Sequence, residues 1–267
     1  MKNDVYDLPD DLSSFAQIIS FPKVIEDLAE QAEEEDWTYR NTAAYNNSTI
    51  KFPILVNYIN NTYRRLAIEK KIAFSKDKNH ACFDTGLTTR SQKEPLYMLF
   101  EKNKNENTQQ YWFFKKVFRS GESDAGKFSK LPSMAFYWED PSKLVYDTRK
   151  ELIVNTEHII TDNKSRFPAP YNFKEDYELK MLLDGCIKSS IEKIKRNYKI
   201  AVPQYFLTTS AIQLLIPLCL RFPDKADLAI VVEDYGEMYR ASTCLTLDMA
   251  INNARLLAKP DRDWLNP

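Results

Sequence analysis

YRASTCLTLDMAINNARLLAKP, Tyr239 to Pro260, changes its hydrophobic period part-way along. Tyr239, Ala241, Thr243 and Leu245 alternate as a strand does; Leu247, Ala250, Ala254 and Leu257 then recur at helical spacing. Just upstream, ADLAIVVE at Ala226–Glu233 is a continuous apolar run followed by the DYGE turn, which predicts a buried strand paired with the first. A central strand pair with a helix against it points to an α+β protein, built on a mainly antiparallel sheet with packed helices.

Working outward, Thr208–Leu220 is an apolar run predicted as a helix that Pro217 kinks or ends. A long helix is predicted over Asp176–Lys199, with Leu179, Leu182, Leu183, Cys186, Ile187, Ile191, Ile194 and Tyr198 on its buried side. RFPAPYNF, Arg166–Phe173, is a Pro-rich connection. It is the candidate boundary between a helix-hairpin and sheet region at 1–165 and a helical and β-hairpin region at 166–267, unless the two form one continuous domain. Nearer the start, helices are expected from Pro22 and from near Pro53, then strands at Ile72–Ser75, His80–Leu87, Pro95–Glu101 and Tyr111–Arg119. Helix followed by hairpin gives this part a winged-helix-like outline, in which Arg64, Arg65, Lys70 and Lys71 would meet phosphates or simply face solvent. Ser120–Lys130 reads as a mobile loop and Met1–Asp11 as a loosely held lead-in.

Composition closes off several function classes. With 43% hydrophobic and 28% charged residues, the 267-residue chain is an ordinary globular protein of one large or two small domains. A net charge of -1 means that any polyanion must be met by a local patch. Only 5 glycines occur, none in a GxGxxG or GxxxxGK[ST] arrangement, which disfavours dinucleotide folds and P-loops. The 4 cysteines form no CxxC pair and the start is no signal peptide, so a reducing, cytoplasmic setting is expected. Two histidines rule out a histidine-rich metal centre. The longest apolar run, Ala211–Leu220, is too short to span a bilayer, so no membrane partner is expected.

Asp248, Asn252, Arg255 and Lys259 follow one another at helical offsets, and KIKRNYKIAVPQYF upstream offers Arg196, Asn197, Lys199, Gln204 and Tyr205. Arginine and lysine suit phosphate, amides can read a base edge, and Tyr198, Tyr205 or Tyr239 could stack on a base. Together they suggest a basic and amide pocket in an RNA-binding or RNA-processing protein, with RNA or a nucleotide as partner. The alternative for the same residues is an interior network, with Asp248 paired to Arg255 while Asn252 and Asn253 tie down loops. A second function is a nucleotide-directed hydrolase or phosphotransferase using Asp248 or Glu233 as acid, base or metal ligand. Glu233 with Asp234 could hold magnesium; otherwise no cofactor is expected. A third is a ligand-free scaffold for a protein partner.

LAIEKKIAF, CFDTGL, KIKRNYKIAVPQYF, IQLLIPLCL, ADLAIVV and TCLTLDMAINNARLLAKPDRDWL also resemble, along most of the chain, an uncharacterised domain-of-unknown-function family. In some members that domain accompanies LOTUS (OST-HTH) RNA-binding modules and endoribonuclease-like domains, so the resemblance implies RNA metabolism by association. It brings no catalytic residues with it. Asp84, within CFDTGL, stands where the family pattern would hold Asn.

Overall fold

The structure, a computed structural model, describes Tyr6, residues 8–39 and 50–259, and Leu265. Met1–Val5 and Asp7 of the expected lead-in, and Pro260, lie outside the described residues. The chain divides into two compact units, the first running to Phe136 and the second from Tyr137, with Tyr39 also in the second. The Pro-rich connection at Arg166–Phe173 is internal to the second unit.

The first unit contains α1 (Leu12–Phe15), β1 (Ala16–Gln17), α2 (Phe21–Gln31), α3 (Pro53–Ile68), β2 (Ala73–Phe74), β3 (His80–Thr88), β4 (Pro95–Lys102) and β5 (Trp112–Arg119). Pro53 opens α3, where a missing N–H costs nothing, and Leu55, Tyr58, Ile59, Thr62 and Leu66 fall on its buried side. The sheet order is β1-β5-β4-β3-β2, with only the β1–β5 pair parallel. The hairpin that follows α3 is therefore the outer part of a five-stranded sheet. Phe83 and Phe100 stack on each other on the face that Phe15 and Tyr63 cover. Cys82, Tyr97, Leu99 and Phe118 make the other face, against Phe128 and Leu131. Ser120–Lys130, expected to be mobile, instead holds a 3₁₀ turn at Ser123–Lys127. Lys116 bridges Glu122 and Asp124 at 2.9 and 2.7 Å, and buried Phe128 anchors the far side. The composition of that stretch is loop-like; the nearby Lys116 bridges and the packing of Phe128 on Cys82, Tyr97 and Phe118 are what order it.

The second unit contains β6 (Glu151–Val154), α4 (Thr156–Asn163), α5 (Asp176–Arg196), β7 (Val202–Phe206), β8 (Ala211–Leu218), β9 (Leu228–Asp234), β10 (Met238–Thr246) and α6 (Leu247–Ala254). Its sheet order is β6-β10-β9-β8-β7, with β6 parallel to β10 and the rest antiparallel. Ile159 and Ile160 of α4, with Leu179, Leu183, Ile187 and Ile194 of α5, pack on Leu214, Ile216, Ile230, Val232 and Ala241. On the opposite face α6 packs against β7, β9 and β10.

Three expectations are corrected here. The helix expected over Thr208–Leu220 is strand β8. Both of its faces are covered, so the run has no polar side whose period could distinguish strand from helix. Pro217 is tolerated because it follows the last β7 pair, Val202 with Leu215, and its carbonyl accepts from Ser190 Oγ on α5. In a strand N–H and C=O point the same way, so the missing donor faces no ladder. Next, α5 stops at Arg196, where the Asn197 side chain accepts from the Lys199 N–H at 3.2 Å and opens a 3₁₀ turn at Tyr198–Ile200. Finally α6 ends at Ala254, so Asp248 and Asn252 are helical whereas Arg255 begins a turn and Lys259 lies beyond it.

Candidate nucleic-acid interface

The strand-to-helix switch at Thr246 is made by that residue's own side chain, which caps α6 by accepting from the Met249 N–H at 3.3 Å. The chain then returns past the start of β7. Lys199 and Lys259, sixty residues apart in sequence, thereby line the same cleft. It has a volume of about 180 Å³ and apolar walls from Leu144, Pro203, Ala254 and Leu257. Tyr198, expected on the buried side of α5, lies in the turn beyond its end, is 58% exposed and stands at the side of the cleft.

Beside the cleft a row of polar side chains crosses the sheet on the face that α6 covers. Asn253 Nδ2 donates to Gln204 Oε1 at 3.2 Å, Gln204 Nε2 to Gln213 Oε1 at 2.7 Å, and Gln213 Nε2 to Glu233 Oε1 at 2.8 Å. Tyr235 Oη donates to the other Glu233 oxygen at 3.2 Å. Gln204 and Gln213 are direct cross-strand partners, 1% and 5% exposed. Burial of such amides is costly unless each is bonded, and here each gives and takes.

A family model for a domain of unknown function (DUF3825) matches residues 28–264. The chain belongs to that family. No curated protein and no solved structure matches it.

The match runs through both units. Within the DUF3825 region the residues singled out from the sequence are distributed as follows. Lys199 and Lys259 meet at the cleft. Gln204 and Glu233 meet in the row through Gln213, Glu233 as the acceptor at its end. Arg196 donates to the Glu192 backbone oxygen and lies 2.9 Å from its carboxylate. Lys195 first, then Arg196, hold that carboxyl well down, at about 2. Asn197 is spent on its own turn. Tyr205 is buried edge-on against Tyr137. Tyr239 is stacked on Tyr146 at 4.6 Å, with Lys150 5.0 Å from its ring centre. Neither ring offers a free face to a base.

Asn252 Nδ2 donates to Tyr39 Oη at 2.7 Å, while its buried Oδ1 takes no hydrogen bond among the described residues. Asp248 sits in the first turn of α6, where a negative charge complements the helix dipole, and Arg255 just past its end. Among the described residues no group of three or more His, Cys, Asp or Glu could hold a metal ion. Nor is any helix among them long and apolar enough to cross a membrane.

Sequence reasoning passed over Gln213 and Tyr235 as parts of a site and placed Asn253 only in the alternative interior network. Gln213 is the informative one, because a lone amide inside an apolar run must have a buried partner. The first unit of the DUF3825 region holds a second buried polar group. Asp84, on β3 beside Cys82 and Tyr97, accepts the Gly86 N–H at 2.8 Å, and burial raises its carboxyl to about 6. Gly86 has φ +73 and is packed so closely on the Tyr58 hydroxyl that a Cβ there would clash.

Proposed function

We propose that this chain is an RNA-binding protein whose second unit holds a single-stranded segment at the Tyr198, Lys199 and Lys259 cleft. The observation that carries the reading is the convergence of two lysines and an exposed tyrosine on one apolar-walled hollow. An ammonium group serves phosphate as a point charge, and an open aromatic face stacks on a base of any identity. A cleft of about 180 Å³ suits one base, with its phosphates left outside at the lysines. With the whole chain at a net charge of -1, binding rests on this local patch. The resemblance to domains that accompany LOTUS RNA-binding modules supports the same reading. A reducing, cytoplasmic setting belongs to the proposal too, supported by four cysteines that all stand as free thiols.

The test is fluorescence anisotropy of a labelled single-stranded RNA oligomer over a range of salt. Two neutralised phosphates give a slope of log Kobs against log salt of roughly -1.4. Lys199→Ala and Lys259→Ala should each reduce that slope by about 0.7. Tyr198→Ala should weaken binding by about tenfold and leave the slope unchanged. Binding that ignores salt, or that survives all three substitutions, removes the cleft as the site.

A further inference from the structure

The row from Asn253 to Glu233 has a direction. A carboxylate only accepts, so Gln213 must turn Nε2 toward Glu233 and Oε1 toward Gln204. Gln204 in turn gives its Nε2 to Gln213 and presents Oε1 to α6. At that place α6 has to supply a donor, and Asn253 does. One turn away on either side stand Met249, Ala250, Leu256 and Leu257, none of which carries a side-chain donor. The neighbouring Asn252 amide is engaged with Tyr39.

We infer that Glu233 is a positioning residue for the cleft. Its carboxylate, which can only accept, sets the direction of the row through two glutamines and so demands a donor from α6 at Asn253. That demand fixes the seat of α6 on the sheet and hence the place of Ala254, Leu257 and Lys259 on the cleft wall. Leucines in place of the amides would be buried at no polar cost, but an apolar row would accept α6 in more than one register. A buried polar row accepts one. The consequence for RNA rests on the reading of the cleft given above; the direction of the row depends on no ligand.

The experiment compares four full-length proteins: the native chain, Glu233→Gln, Asn253→Asp and the double variant. Each is followed by thermal unfolding and by anisotropy with the same RNA oligomer. Glu233→Gln keeps the shape and allows the row to run either way, so its unfolding midpoint stays within about 2 °C of the native one. Asn253→Asp puts an acceptor at both ends and sets Gln204 Oε1 against a carboxylate. Its midpoint falls by about 5 °C and RNA affinity by about tenfold. In the double variant the row reverses, each amide is satisfied again, and both midpoint and affinity recover.

A double variant as unstable as the sum of the two singles overturns the directional row. Midpoints that follow the cycle while RNA affinity stays constant overturn the positioning role. If the native chain binds no RNA, the reading of the cleft fails separately, and the midpoints alone decide whether Glu233 seats α6.

Discussion

Replacing Asp84 by asparagine should stabilise the protein at neutral pH. Asp84 is 7% exposed; its carboxyl lies beside Cys82 and Tyr97 and, among the described residues, accepts one hydrogen bond, from Gly86. Burial outweighs that bond and raises its pKa from 3.8 to about 6. A carboxyl that binds its proton more tightly when folded favours folding at low pH and opposes it once ionised. Stability is therefore lost as pH rises from about 3.8 to about 6 and is flat above. The full difference is about 3 kcal/mol. The amide of Asp84→Asn cannot ionise and can still accept from Gly86, so the variant should be more stable by up to about 3 kcal/mol at pH 7.5. At pH 4.5, where the native carboxyl is protonated in the fold, the gap should shrink to about 1 kcal/mol. Urea unfolding of both proteins at the two pH values measures it. An alanine control, which loses the acceptor, should gain less. An asparagine variant no more stable at pH 7.5, or a gap unchanged at pH 4.5, would refute the assignment of a buried, proton-holding carboxyl.

Other substitutions probe the sheet of the first unit and the helix that carries the site in the second. Gly86→Ala combines a positive φ with a clash on the Tyr58 hydroxyl and should cost about 2 kcal/mol or more; adding Tyr58→Phe should recover the steric part only, as read by urea unfolding. Thr246→Ala removes the α6 cap, for a loss of about 1 kcal/mol, and should also lower RNA affinity in the anisotropy assay if α6 carries Lys259 to the cleft. Thr246→Ser, which retains a capping hydroxyl, should restore both.

How far the sequence goes depends on whether a residue's partner is near it in the chain. The change from alternation to helical spacing around Thr246 was legible, because period is a local property and each period demands one kind of backbone. The central β9 was legible too, as a short apolar run closed by a turn. Strand β8 was not, because a segment covered on both faces has lost the contrast from which a period is read. Apolar spacing gave α5 its run but not its stop, which the Asn197 side chain sets by accepting from the Lys199 N–H.

The candidate site divides along the same line. Lysine, tyrosine and amide side chains in two separated stretches could be named from the sequence as material for a pocket. Which of them meet was decided by the return of the chain past β7, which joins Lys199 to Lys259 and leaves Arg196 on the outer face of α5. Gln213, in sequence a break in an apolar run, became the link between Gln204 and Glu233 only when β7, β8 and β9 lay side by side. Composition and period thus determined the elements and the chemistry available to them. Sheet register and the seat of α6 decided the partners, since a hydrogen bond across a sheet depends on spatial neighbours that the local sequence does not contain.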